Sequence, residues 1–307
     1  MYRLKERESY RAEGEGDYHF CTDGLSGGLI FNNVAEFAFG MILMGLICIR
    51  FHIRIYAFTL MPNHIHIVLH GTGADCIKSF DYLKRKLSAR LKRDGYPPLP
   101  ETYWFKLTRI VSREQLMHEI IYVLRNPLEK GWNVVGGYLW SSEWVYFSDF
   151  SKILEGTPVR DLSKRKLEIM LGGEEKLPSD WQIHPYLGLL PSCFVDVDSV
   201  RRLFPSPKDL QTALVKDYEV FFQIARRLGE LTEYSKTERE SIVSQILQSR
   251  FSGRSLSALT EADKGKLMLI LAREFGFNSF QISTSVFVKE KIVRQVLAAK
   301  EVQYHAL

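Results

Sequence analysis

Two histidines at spacing i, i+2, His64 and His66, lie in the run Met61-Pro62-Asn63-His64-Ile65-His66-Ile67-Val68. The run is rich in β-branched residues. On a strand, this spacing sends both imidazoles to one face and Ile65, Ile67 and Leu69 to the other. Two adjacent imidazoles suit a divalent metal, since His is the commonest metal ligand. The same pattern also describes a pair of surface histidines on a half-exposed strand. Farther along, Tyr122 precedes Asn126-Pro127 on a stretch of helical periodicity. His118, Tyr122 and Asn126 recur at i, i+4, i+8, off the apolar stripe of Leu116, Ile120, Val123 and Leu124. A tyrosine there is either a half-buried packing residue or a nucleophile. A phenol has a pKa of about 10, so at neutral pH it attacks only with help from a positive charge or a base.

Three signals follow one another in the chain: Met61-Pro62-Asn63-His64-Ile65-His66, then Tyr122 to Asn126-Pro127, then Leu139-Trp140-Ser141-Ser142. Over roughly residues 15–150 the chain thereby resembles the single-tyrosine transposases with a histidine–hydrophobic–histidine (HUH) motif. These are insertion-sequence enzymes that cut single-stranded DNA, together with their REP-associated relatives. The resemblance implies Tyr122 as nucleophile, attacking phosphorus in line to leave a 5′-phosphotyrosine link and a free 3′-hydroxyl. A second 3′-hydroxyl then attacks that link and rejoins strands without ATP, which agrees with the lack of a Gly-x-x-x-x-Gly-Lys-Ser/Thr phosphate loop. It implies His64 and His66 as ligands of Mg²⁺ or Mn²⁺. The family's third ligand stands one helical turn after the tyrosine, where this chain has Asn126. Asn126 is equally a plain helix C-terminal residue before proline. The implied substrate is single-stranded DNA folded as a hairpin or imperfect palindrome. The long C-terminal extension departs from the compact insertion-sequence enzymes and is closer to the REP-associated branch or a domesticated relative, so monomer and homodimer both stay open. A rival from another class is a non-catalytic DNA-binding regulator on the same fold. A third reading is an RNA-processing enzyme using the same site.

The elements that must hold these residues follow from pattern. A strand at 17–24 leads to an apolar helix capped by Asn32 or Asn33. Strands at 53–60 and 64–70, turned by Pro62-Asn63, read as a hairpin. A helix over 76–92 carries Phe80, Leu83, Leu87 and Leu91 inward and basic residues outward. After a strand at 103–111, Ser112-Arg113-Glu114-Gln115 has the form of a capping box, and Pro127 ends the helix near Asn126. The order β-α-β-β-α-β-α predicts an α+β fold: a ferredoxin-like antiparallel sheet with helices on one face. Residues 1–150 read as the nuclease domain and 151–230, broken by prolines at 178–207, as a connector with short helices. Residues 231–307 read as an all-α, helix-turn-helix-like DNA-binding region. There Thr260-Glu261-Ala262-Asp263 opens one helix, Gly276 ends it, and Ile282, Val286, Ile292, Val293, Val296 and Leu297 form the core.

The length of 307 residues suits about two domains. The 46% hydrophobic and 25% charged fractions are those of an ordinary globular protein. The net charge of +5 is unevenly placed. Lys78 to Arg93 holds seven basic residues and one acid, and Lys264 to Lys300 seven and two, whereas residues 155–240 hold thirteen and fifteen. That suits a polyanion gripped at two points. Lys84, Arg85, Lys86, Arg90, Lys92 and Arg93 are the candidate phosphate contacts near the sheet, and Lys289, Lys291 and Arg294 those of the C-terminal region. Two ordinary solvated helix faces would give the same counts. Four cysteines without a Cys-x-x-Cys pair read as reduced thiols, hence a cytoplasmic protein. The charged start, Met1 to Glu15, does not read as a signal peptide. The apolar run Phe37 to Ile49 is shorter than the roughly 20 residues needed to span a bilayer, so no membrane partner is expected.

Overall fold

The computed structural model describes residues 2–24, 28–129, 137–147, 154–216, 224–225, 227–228, 236–275 and 277–301. Among these the chain is α+β. Its contacts divide it into two compact units, residues 1–127 with 134–224, and residues 128–133 with 225–307.

The first unit is built on β1 (Gly16–Thr22), β2 (Arg54–Leu60), β3 (Ile65–Gly71) and β4 (Phe105–Ile110), in the order β2-β3-β1-β4. Each neighbouring pair is antiparallel, and β2 and β3 form the expected hairpin. The registers Phe20↔Ile67 and Phe58↔Ile67 put these residues on one face, and Cys21↔His66 and Thr59↔His66 put those on the other. The first face is covered by α2 (Val34–Phe51) and α3 (Gly73–Arg93). Phe80 of α3 meets Phe20, and a Cβ at Gly40 of α2 would come within 2.9 Å of Leu60. The second face is covered by α4 (Arg113–Glu129), where Thr59 Oγ1 donates to the Val123 carbonyl at 2.7 Å. Helices therefore lie on both faces, not on one. The reason is visible in β2 and β3, which are buried on alternate residues of both parities and so need cover on each side.

The apolar helix starts at the expected cap and runs about three residues farther than expected, and one helix was not expected at all. The apolar helix is longer than its hydrophobic run: Asn33 caps it by accepting from the Glu36 amide, and it extends over 18 residues. By length and composition it is the one described helix that could cross a membrane. Here every residue from Phe39 to Ile47 is buried within the unit. An N-terminal helix, α1 (Tyr2–Ala12), was not legible because its composition is almost wholly polar. It docks on α3 through the Arg7–Asp81 ion pair, and so closely that Gly73 has no room for a Cβ beside the Tyr10 carbonyl.

The expected connector is part of this unit. It contains β5 (Thr157–Pro158), β6 (Gln182–His184) and β7 (Gly188–Leu189) as a small sheet, with α5 (Lys164–Leu171), α6 (Val197–Leu203) and α7 (Pro207–Lys216). Leu189 packs where a Cβ on Gly45 would stand, and the Asp196 amide donates to the Ile55 carbonyl at 2.8 Å. The contacts therefore show no boundary near 150, and the division expected at 231 falls near 225. Prolines there start elements, as Pro191 and Pro207 do, since a missing N–H costs nothing at a first helical position.

The second unit holds α8 (Lys236–Arg250), α9 (Glu261–Phe275), α10 (Ser279–Val286) and α11 (Glu290–Glu301). Thr260 caps α9 by accepting from the Asp263 amide, and Asn278 with Gln281 forms a capping box on α10. Leu267, Leu271, Ile282, Val286 and Val293 are in its buried core, with Val296 and Leu297 partly buried against it. Ile292, expected in that core, is 44% exposed, because Val293 takes the inward position of α11. Gly276 lies outside the described residues.

Candidate active site

The hairpin places His64 just before β3 and His66 within it, and both are buried. Their ring centroids are 4.7 Å apart, so the surface-pair reading does not hold. Asn63 donates through Nδ2 to the Gly24 carbonyl at 2.8 Å, which turns its Oδ1 to His64 Nδ1 at 2.7 Å. Since an amide oxygen only accepts, His64 Nδ1 carries the proton and Nε2 the lone pair. Gly24 packs closely here: a Cβ would stand 3.2 Å from His64 Nδ1, so the imidazole would have to give way by a few tenths of an ångström. His66 Nδ1 is 3.1 Å from Nε2 of His19 on β1, whose Nδ1 is 2.7 Å from Glu119 Oε2 on α4.

The tyrosine helix closes over this face. The Tyr122 ring centroid is 5.5 Å from that of His66 and 5.6 Å from that of His19, and the residue is 1% exposed. One turn on, Asn126 Nδ2 lies 3.1 Å from His66 Nε2. Glu119, Tyr122 and Asn126 share one face at i, i+3, i+7, and His118 does not belong to it. His118 instead lines an open cavity of about 360 Å³ with Arg113, Met117 and Phe204. The helix runs past Asn126 to Glu129 with Pro127 inside it. Proline offers no N–H to the Val123 carbonyl four residues back. The Thr59 hydroxyl supplies that bond, which is how the helix survives its proline.

The third motif meets the same place. The Ser142 amide donates to the Phe58 carbonyl, the Leu60 amide donates to the Trp140 carbonyl, and Thr59 bridges Ser141. Thr59 therefore has His66 on one side, Ser141 on the other and the tyrosine helix above it. Nearby Tyr138 and Tyr146 donate to the Leu60 and Tyr56 carbonyls, and burial pushes both phenols above their ordinary range. They serve as fixed donors.

Asn126 Oδ1 is buried and has no hydrogen-bond partner among the described residues. An unsatisfied amide oxygen on the group that meets His66 Nε2, near two imidazoles, fits a divalent cation whose remaining ligands are water and phosphate oxygens. This donor set is two imidazoles and an amide. No group of three or more His, Cys, Asp or Glu side chains able to hold a metal occurs among the described residues.

The basic residues divide. Lys84 donates to the Glu101 and Tyr103 carbonyls, Lys86 donates to the Gly172 carbonyl and pairs with Glu175, and Arg90 pairs with Asp94. Lys84 and Lys86 brace α3 against its neighbours, and Arg90 closes the helix's own C-terminal turn. Arg85, Lys92 and Arg93 are exposed, as are Lys289, Lys291 and Arg294, with Arg93 paired to Asp94 and Arg294 to Glu290. Sequence reasoning missed His19 and Glu119 altogether. The only signal was a histidine at the inward parity of an otherwise apolar strand. Comparison with models of known families, with curated proteins and with solved structures finds no match.

Proposed function

We propose that the chain is a metal-dependent single-tyrosine DNA nuclease and strand transferase of the HUH type, acting on structured single-stranded DNA. One observation carries this reading: Tyr122 lies against His66 and His19 while Asn126 meets His66 Nε2, so residues from separate motifs converge on one sheet face. The strand order β2-β3-β1-β4 supports a ferredoxin-like sheet under that site. The Tyr122 oxygen attacks phosphorus, the P–O3′ bond breaks, and the phenol's proton ends, net, on the departing 3′-oxygen. The 5′-phosphotyrosine conserves the bond energy, and a second 3′-hydroxyl reverses the step to rejoin strands. His64 and His66 through Nε2, with the Asn126 amide, would hold Mg²⁺ or Mn²⁺. When bound, the cation supplies positive charge to the phosphate oxygens and helps orient the scissile bond. Arg85, Lys92 and Arg93 on α3, and Lys289, Lys291 and Arg294 in the second unit, are the proposed phosphate contacts.

The 1% exposure of Tyr122 favours a second reading, a DNA-binding regulator that keeps the fold without the chemistry. The experiment that separates them incubates the full chain with labelled hairpin-bearing single-stranded DNA and Mn²⁺, followed by a denaturing gel. A covalent protein–DNA band that does not form when chelator is present during the incubation is the expected result. Binding without any such band supports the regulator, and a band with RNA hairpins alone supports the RNA-processing reading.

A further inference from the structure

Glu119, His19 and His66 form one hydrogen-bonded line across the sheet face. All three side chains are buried away from solvent. A carboxylate only accepts, so the contact from Glu119 Oε2 makes His19 Nδ1 a donor. A neutral ring carries one proton, so His19 Nε2 is an acceptor, and the His66 nitrogen facing it, Nδ1, must donate. His66 Nε2 is then left with its lone pair. The Asn126 Nδ2 group, a donor, faces that nitrogen at 3.1 Å. The two ends of the line, an acceptor at Glu119 and a donor at Asn126 Nδ2, thus agree on one direction of donation.

We propose that Glu119 and His19 are positioning residues. They hold His66 in its Nδ1–H tautomer and so keep Nε2 an electron-pair donor beneath the tyrosine helix. The metal role of that nitrogen rests on the function proposed above, but the tautomer does not. Histidines that bind metals commonly donate their second nitrogen to a carboxylate or carbonyl, which fixes ring and tautomer together. Here the same control acts through one intervening ring. The carboxylate sits on the same helix as Tyr122, one turn earlier. The line therefore also ties the donor nitrogen to the position of Tyr122.

The test uses the full chain without metal, with ¹⁵N-labelled histidine, at neutral pH. Nitrogen–proton correlation spectra report which ring nitrogen carries the proton, and His19→Phe assigns the His19 signals. Both His19 and His66 should be Nδ1–H. Glu119→Leu removes the acceptor at the head of the line, and His66 should shift to the Nε2–H form or a mixture. In both variants the affinity for Mn²⁺ alone should fall by about 10–100-fold. An Nε2–H signal for His66 in the unaltered chain overturns the proposal, whether or not the variants fold. So does a folded Glu119→Leu variant with unchanged His66 signals or unchanged Mn²⁺ affinity. The spectra need no DNA, so the two readings fail separately. Nδ1–H at His66 without DNA cleavage leaves the tautomer assignment standing and sinks the nuclease. Cleavage with Nε2–H at His66 does the reverse.

Discussion

Tyr122 carries the proposed chemistry, and its neighbours show why a phenylalanine is the right probe. The ring packs against His19 and His66 with almost no exposure, so Tyr122→Phe keeps the filled volume and removes only the oxygen. Cleavage and the covalent band should vanish while hairpin affinity stays within about twofold, because phosphate contacts rather than this oxygen supply the affinity. A covalent band from the Phe variant at full yield would sink the assignment. His118→Ala is the matched control: it sits one residue before Glu119, on a half-exposed face, and should leave cleavage unchanged. The motif residues His64, His66, Tyr122 and Asn126 were legible because their types and spacings are unusual. His19 and Glu119 were not, because each stands alone in its segment and only the β1–β3 register and the turn of α4 bring them together.

Among the elements, α4 depends on a single hydroxyl. Its proline leaves the Val123 carbonyl without its usual donor, and Thr59 Oγ1 fills that place from the neighbouring strand. Thr59→Val keeps the shape but leaves the carbonyl buried and unpaired, at a cost of about 1–3 kcal/mol. Pro127→Ala returns the N–H, so the double variant should recover most of that loss. Denaturant unfolding of the two single variants and the double gives the coupling directly. Additive losses would mean that the hydroxyl does not stand in for the missing amide. For the same reason the helix runs three residues past Asn126, near which it was expected to end. A proline's effect on the preceding turn is a local rule, and a threonine more than sixty residues away in sequence overrode it. The four strands of the main sheet, by contrast, were legible to within about two residues, since β-branched runs bounded by turn residues leave little choice, whereas the short β5, β6 and β7 were not foreseen.

At the scale of the whole molecule, the charge pattern is informative only after the structure has sorted it. The excess on α3 shrinks once Lys84, Lys86 and Arg90 are seen bracing the protein itself, which a count of basic residues cannot reveal. The connector was misjudged because its prolines open short elements packed on α2 and β2. In the second unit, Lys289 and Lys291 are exposed around the start of α11, next to Phe287, which caps α10 at φ 55° and is 86% exposed. If these lysines contact phosphates, each releases close to one counterion on binding duplex DNA. Lys289→Gln with Lys291→Gln should then lower the slope of log affinity against log salt by about 1.8. Both side chains lie on the surface, so the thermal midpoint should move little. Arg294 is held by Glu290, so Arg294→Gln should change the slope by less than either lysine. Cleavage of a saturating hairpin should persist in both variants, because the proposed chemistry lies in the first unit. Binding curves for duplex and hairpin DNA at several salt concentrations decide the matter. An unchanged slope in the double lysine variant would remove the second unit from the DNA interface and leave it a helical bundle with another task.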